Sequence, residues 1–90
     1  MLALGQTVMT CGVSETYKGD MVAMAEIFVC LQRHKKGDWG NVDAEDQAEN
    51  DRALQVGNRV VSVYAIRGKK IYIITEHDRS VTTVLFPDEY

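Results

Sequence analysis

Between residues 59 and 86, three short apolar runs are separated only by tight polar turns, and this spacing limits how the chain can fold. The runs are rich in valine, isoleucine, tyrosine and threonine, which favour strands. Strands joined by such short turns pair antiparallel with their neighbours. The pattern therefore predicts a meander with strands over residues 59–66, 70–75 and 81–86.

A helix from about residue 18 to 36 is the clearest element before the meander. Its last turn is basic, and Gly37 is a natural stop. Ser14, Thr16 and Asp20 are all candidates for its N-cap. The apolar residues that recur at helical spacing are Met21, Met24, Ala25, Phe28 and Leu31, with Ile27 beside them.

Two weaker elements complete the predicted fold. Residues 6–11 favour a short first strand. A second, thin helix is expected over residues 43–55, because Asp43 precedes Asp46 at the spacing of an N-terminal signature. The expected fold is α+β, with an antiparallel three- to four-stranded meander packed against one long helix and a second short helix. Residues 1–90 form a single domain in this prediction.

Neither face of the predicted sheet is cleanly polar. Along residues 59–66, Val61 and Val63 lie on one face, and Tyr64 and Ile66 lie on the other. An antiparallel sheet with one face in water alternates more strictly than this. We therefore expect the long helix to cover one face, and the second helix or a second copy of the protein to cover the other. The second possibility predicts a homodimer through the less protected sheet face.

Composition excludes several classes of function. The 90 residues contain no apolar run of about 18 residues, so no membrane span is expected. The opening residues lack the basic and apolar segments of a signal peptide, which predicts a cytoplasmic location. The net charge is −3, with acidic residues concentrated in 37–55, so no direct nucleic-acid binding is expected. Such an acidic segment faces either solvent or a basic partner.

Two polar clusters are the candidate binding sites, and no catalytic residue is assigned. The first cluster, at the exit of the long helix, contains His34, Asp38 and Trp39. The second cluster lies in the last hairpin and contains Thr75, Glu76, His77, Asp78, Arg79, Ser80, Thr82 and Thr83. No cofactor is expected, since the chain has no glycine-rich phosphate loop.

Several candidates also have a structural interpretation. His34 is placed to cap carbonyl groups at the end of its helix, and Trp39 can fold over the core instead of anchoring a partner. Asp78 can accept a backbone hydrogen bond within its turn. Arg79 can either order the hairpin or recognise an anion or a partner, because its guanidinium offers a planar fork of donors.

A metal site would arise only if the two clusters met. Its candidate ligands would then be His34, Asp38, Glu76, His77 and Asp78. Such a site would suit a small metal-dependent hydrolase acting on nucleic acid, because carboxylates hold a metal and orient water. However, the chain has no paired histidine spacing, and Cys11 and Cys30 are expected to be reduced, buried thiols. No metal is therefore assigned.

Two motifs resemble those of a family of small, plasmid-related bacterial proteins. They are Gly-Asp-Trp-Gly at residues 37–40 and Thr-Glu-His-Asp-Arg-Ser-Val-Thr-Thr at residues 75–83. The opening Leu-Gly-Gln-Thr-Val-Met-Thr at residues 4–10 is similar too, so the resemblance covers nearly the whole chain. Members of that family are often described as the modification subunit of type I restriction systems.

A type I modification subunit is an adenine methyltransferase with a large Rossmann-like domain and an Asn/Asp-Pro-Pro-aromatic motif. This chain has a single proline, Pro87, and no such motif. The resemblance therefore implies association with mobile elements, and with restriction or anti-restriction, without methyl transfer. We expect a non-enzymatic protein-interaction module whose unidentified partner binds the acidic segment or the Trp39 region. The alternative is the metal-dependent hydrolase.

Overall fold

A four-stranded mixed sheet organises the chain in the computed structural model, which describes residues 2–90. The strands are β1 (Gln6–Met9), β2 (Val60–Ile66), β3 (Lys69–Thr75) and β4 (Val81–Leu85), in the spatial order β1-β4-β3-β2. The helices are α1 (Cys11–Thr16), α2 (Met21–Lys35) and α3 (Ala44–Val56), and a 3₁₀ turn spans Pro87–Glu89. The predicted α+β class is confirmed.

The prediction of a purely antiparallel meander is wrong at β1. Strands β2, β3 and β4 pair antiparallel as expected, but β1 pairs parallel with β4, with Gln6 opposite Val81 and Met9 opposite Val84. Three helices and two strands separate β1 from β4 along the chain. No tight turn joins the two strands, so their direction is not restricted to antiparallel.

The predicted combination of one long helix and one short helix is also wrong, because three helices are present. Helix α2 begins at Met21 and not at residue 18, since the Asp20 side chain accepts a hydrogen bond from the Ala23 amide at 3.0 Å. Helix α1 was not predicted. Its N-cap is Thr10, so Cys11, the last residue of the predicted first strand, lies in a helix instead.

Helix α2 buries a different stripe from the one indicated by its apolar spacing. Its buried residues are Ala23, Ile27, Cys30 and His34. Of the expected stripe, Met24 and Leu31 are partly buried, whereas Met21, Ala25 and Phe28 face solvent. The helix is rotated so that the imidazole of His34, a polar group, points into the core.

All three helices pack on one face of the sheet. Tyr17 of α1 and Ile27 of α2 belong to one core cluster, and Ala53 of α3 packs with Val60 in a second. The sheet residues that face these helices are Val60, Ser62, Tyr64, Ile66, Ile71, Ile73, Thr75, Thr82 and Val84. The opposite face therefore carries no helix among residues 2–90.

Helix α3 lies at the edge of β2, so the expectation that it covers the second sheet face is wrong. There the Asn50 side chain makes the backbone hydrogen bonds that a neighbouring strand would otherwise make. Its amide donates to the Val61 carbonyl at 2.8 Å, and its oxygen accepts from the Val61 amide at 3.1 Å. These two hydrogen bonds satisfy the amide and the carbonyl of Val61 at the sheet edge, which water or another chain would otherwise bind.

The open sheet face is partly covered by Tyr90. The Tyr90 ring lies edge-on to Tyr72 at 6.0 Å, and its hydroxyl accepts a hydrogen bond from Arg59 at 2.9 Å. Tyr72 and Arg59 flank Ile74 on this face, and Ile74 is buried. A second copy of the protein on the remaining open face stays a prediction.

Two smaller expectations concern membranes and thiols. Within residues 2–90, no helix has the length and apolar character needed to cross a membrane. Cys30 is buried and free, as expected. Cys11 is free but exposed, because it opens the unpredicted helix α1 at the surface.

Candidate functional site

The candidate residues occupy three separate environments and do not form one site. His34, Trp39 and Thr82 are buried inside the domain. Asp38, Glu76, Asp78 and Arg79 lie at the surface in loops or turns, and Thr83 is half-buried on the open sheet face.

His34 joins α2 to the sheet through both of its ring nitrogens. Nδ1 lies 2.5 Å from Ser62 Oγ, and Nε2 lies 2.9 Å from Thr75 Oγ1. Thr75 Oγ1 is 2.7 Å from Thr82 Oγ1, which donates to the Leu4 carbonyl at 2.7 Å. The four side chains are each 0% exposed. We call His34, Ser62, Thr75 and Thr82 the His34 network; it connects α2, β2, β3, β4 and the segment before β1.

One end of the His34 network fixes the direction of its threonine hydrogen bonds and places a proton on Nε2 of His34. The Leu4 carbonyl can only accept, so Thr82 donates to it and must accept from Thr75. Thr75 then has no proton left for the imidazole, so its oxygen accepts from Nε2–H of His34. Burial lowers the pKa of His34, so the ring is neutral and its bare Nδ1 accepts from Ser62. His34 is therefore the neutral Nε2–H tautomer.

The buried imidazole resists protonation. Burial lowers the pKa of His34 from 6.5 to about 4, and the positive charge of Arg79 acts in the same direction. The contact between Ser62 and His34 has the form of a nucleophile with its base. Both groups are fully buried, however, so substrate cannot reach the hydroxyl and the pair is structural.

Trp39 covers the His34 network and does not project into solvent. Its ring packs edge-on against His34 at 5.5 Å, and its Nε1 donates to Asp51 of α3 at 2.9 Å. Gly40 follows in the left-handed conformation, and any side chain there would collide with the Val63 carbonyl. The interpretation of Trp39 as a lid over the core is therefore the one that the geometry supports.

Asp38 orders the loop between α2 and α3. Its carboxylate accepts two hydrogen bonds from Arg33, at 2.8 and 3.2 Å, and one from the Gly40 amide at 3.2 Å. The bond from Arg33 is the largest cause of the lowered pKa of Asp38. Tyr64 donates its hydroxyl to the Asp38 carbonyl oxygen. The Asp38 carboxylate is thus already occupied by donors from its own chain.

The acidic candidates of the last hairpin are similarly occupied. Glu76 accepts a hydrogen bond from Arg59 at 3.2 Å. Asp78 accepts from the hydroxyl and the amide of Ser80, at 2.6 and 3.1 Å, and these bonds lower the pKa of Asp78. The expected turn-forming role of Asp78 is confirmed by this geometry.

Arg79 uses its guanidinium fork on backbone carbonyls. It donates to Asn58 at 2.7 Å, to Glu76 at 3.1 Å and to Ala53 at 3.1 Å. Ala53 lies in the last turn of α3, and its carbonyl also accepts hydrogen bonds from the backbone amides of Gly57 and Asn58, each at 3.0 Å. Arg79 therefore attaches the end of α3 to the β3–β4 turn, which is the structural alternative to anion recognition.

The proposed metal ligands are not brought together. In the described part of the chain, residues 2–90, no group of three or more histidine, cysteine or acidic side chains is arranged to hold a metal ion. His34 is closed off by two hydroxyl groups, and Asp38 and Glu76 are each paired with an arginine. The interpretation as a metal-dependent hydrolase therefore has no set of metal ligands to support it.

Sequence reasoning missed Ser62, Asn50 and Asp51 as partners of the candidate residues and of the sheet edge. A signal for Ser62 was present: it takes an inward position between Val60 and Tyr64, where alternation calls for an apolar residue. Asn50 and Asp51 carry no comparable signal, because both sit among many polar residues on α3.

Comparison with known proteins supplies no relative. No protein-family model matches the sequence, and neither the curated proteins nor the solved structures contain a match.

Lowering the pH from about 6.5 to about 4 should reduce the free energy of unfolding by about 3 kcal/mol through His34. The pKa of His34 is lower in the folded chain than in the unfolded chain. In this pH range, therefore, His34 binds a proton in the unfolded chain but not in the folded one. The stabilising contribution of His34 is fully present above this pH range and is lost as the pH falls through it. Urea unfolding at a series of pH values measures the effect.

His34→Gln should flatten this pH dependence, whereas the matched variant His77→Gln, at an exposed histidine, should keep it. Both variants retain the surface carboxylates, so acid effects from those groups cancel in the comparison. An unchanged pH slope in His34→Gln would contradict the assignment.

Arg79→Ala should lower the free energy of unfolding by about 2 kcal/mol, because three backbone carbonyls lose a charged donor. Arg67→Ala is the matched control, since both arginines have a positive φ but Arg67 makes only a surface ion pair with Asp20. We expect a clearly smaller loss for the control in urea unfolding. Equal losses would mean that the backbone conformation, and not the guanidinium, decides the effect.

Proposed function

We propose that this chain is a non-enzymatic protein-interaction module that binds protein through the outer face of α2. One observation carries the proposal: Met21, Val22, Phe28 and Val29 are 84%, 59%, 62% and 56% exposed. A helix that is apolar on its outer side as well as its inner side is normally covered on both. A contiguous apolar patch of this kind marks an interaction site in soluble proteins.

The polar candidates support binding over catalysis. The Ser62 and His34 side chains are inaccessible, and the candidate carboxylates accept hydrogen bonds from their own chain. A nucleophile or general base must instead be within reach of substrate. The acidic residues of α3, among them Glu45, Asp46 and Glu49, face solvent and stay a second surface for a basic partner.

The setting that we propose is the bacterial cytoplasm, in association with a plasmid or mobile element and with restriction or anti-restriction. The motifs at residues 37–40 and 75–83 are the basis for it. A homodimer through the open sheet face is a second candidate assembly, favoured by the partly exposed Val61 and Val63 on that face.

Photo-crosslinking in bacterial cells tests the proposed function. A benzophenone amino acid in place of Phe28 should form a covalent adduct with a protein, because the side chain would lie against the partner. The same group in place of Val56, which is 59% exposed on α3, is the matched control and should form little adduct. Absence of an adduct at position 28, or equal yields at both positions, would contradict the proposal.

A further inference from the structure

We propose that the groove between α2 and the edge of β2 binds an extended segment of another protein, apolar and basic in composition, which adds a short strand to the sheet at Ala65. This inference rests on the proposed function, since it names what the partner presents to one side of the same helix face. Three observations on residues 2–90 carry it: an open position on the strand edge, an apolar groove beside it, and a carboxylate without an ionic partner in the groove wall.

The edge of β2 is hydrogen-bonded along most of its length but is open at Ala65. The outward backbone groups of a strand recur at every second residue. At Val61 they bond to the Asn50 side chain. At Val63 they bond to the backbone of residues 39–41, at 3.0 and 2.7 Å. Ala65 is next in this series and is exposed, and no loop or side chain among residues 2–90 is hydrogen-bonded to its amide or carbonyl.

The open backbone groups of Ala65 favour an extended partner over a helical one. A helix satisfies its own backbone groups, so it has no use for a free amide and a free carbonyl on a strand edge. An extended segment pairs with both, as in other cases of strand addition to a sheet edge. The strand edge therefore selects the conformation of the occupant.

An apolar groove lies directly beside this open position. Its volume is about 360 Å³, at the lower end of the roughly 300–1,000 Å³ that is typical of ligand pockets. Val22, Ala25 and Val29 of α2 form one wall, and Ala65 and Ile66 of β2 lie opposite. A groove of this size accommodates one or two apolar side chains of a peptide and is too small for a folded domain.

The pleat of an added strand would direct an apolar side chain into this groove. In a paired strand, the residue opposite Ala65 points to the same face as Ala65, which is the open face of the sheet. Its two neighbours point to the helix face, as Tyr64 and Ile66 do. The guanidinium of Arg33 lies 4.8 Å over the Tyr64 ring and closes that end of the groove. The neighbour opposite Ile66 is therefore the one that enters it.

The charge of the groove favours a basic segment. Glu26 of α2 lines the groove, is half-buried and forms no ion pair among residues 2–90. Arg33, which also lines it, is already paired with Asp38 at 2.8 Å. A carboxylate in a partly desolvated wall is stabilised by a lysine or arginine brought to it. The occupant therefore carries a basic residue close to its large apolar residue.

Selection of phage-displayed random heptapeptides on the purified full-length chain tests the occupant. Enriched peptides should combine a large apolar residue with a nearby lysine or arginine. Glu26→Gln should weaken binding of an enriched synthetic peptide about fivefold, because it removes the charge and keeps the size of the side chain. Glu15→Gln, on α1 and outside the groove, is the matched control and should leave binding unchanged. Failure to enrich any peptide, or enrichment of acidic peptides, would overturn the proposal.

Ala65→Pro tests the added strand. The Ala65 amide points away from β3, so proline removes no hydrogen bond of the sheet, and urea unfolding should show a folded chain. Affinity for the enriched peptide should fall at least about tenfold, because one hydrogen bond is lost and the proline ring obstructs the edge. Ala65→Val keeps the amide and should bind like the wild type. Equal affinities of the proline and valine variants would contradict strand addition.

Amide hydrogen exchange in the unchanged chain gives an independent test. Without peptide, the Ala65 amide should exchange faster than the Tyr64 amide, which faces β3. With saturating peptide, exchange at Ala65 should slow at least about tenfold. An Ala65 amide that is already protected in the free chain, or that peptide leaves unprotected, would overturn the proposal.

The adduct formed in cells separates this inference from the proposed function. Equal adduct yields at position 28 in the wild type and in Ala65→Pro would overturn strand addition and leave the proposed function standing. No adduct at position 28, together with peptide binding at Ala65 of the purified chain, would overturn the outer face of α2 as the interface and leave the groove standing. An adduct of twice the 10.1 kDa chain mass would make the occupant a second copy of this chain and overturn the proposed partner.

Discussion

A buried imidazole determines how the two layers of this protein fit together. His34 is the point at which α2 is hydrogen-bonded to side chains of β2 and β3, and the chain of hydroxyl groups continues to β4 and Leu4. Burial of a polar ring is costly unless both nitrogens have partners. Since every side-chain group in the network has a partner, the network positions the helix at one rotation.

The rotation of α2 has a direct consequence for the surface. Residues four, seven and eleven positions before His34 share its face of the helix, and these are Cys30, Ile27 and Ala23. With them inside, Phe28 and Met21 must point outward. The exposed apolar face therefore follows from the same helix rotation that buries His34.

Local signals explain why much of the fold could be predicted. The hairpin strands are bounded by turn residues next to them in sequence, so their limits were predicted to within one residue. Asp43 and Gly57 mark the ends of α3 for the same reason, as an N-cap and a left-handed C-cap. The direction of β1 depends on a partner more than 70 residues away, and no local pattern encodes it.

The candidate site was harder to predict, because its residues are defined by distant partners. Helix α2 has apolar residues on two sides, and its buried side is the one from which His34 reaches the distant hydroxyls of Ser62 and Thr75. For Arg79, the structural alternative was visible in the sequence, but the carbonyl of Ala53 that it binds was not. Sequence pattern thus left the roles of the candidate residues undecided.

The most direct test of the His34 network is nuclear magnetic resonance of the His34 ring nitrogens as the pH is lowered. We predict a proton on Nε2, a bare Nδ1, and no change in protonation until the pH approaches about 4. A ring that titrates near 6.5, or that carries its proton on Nδ1, would contradict the network and the helix rotation that depends on it.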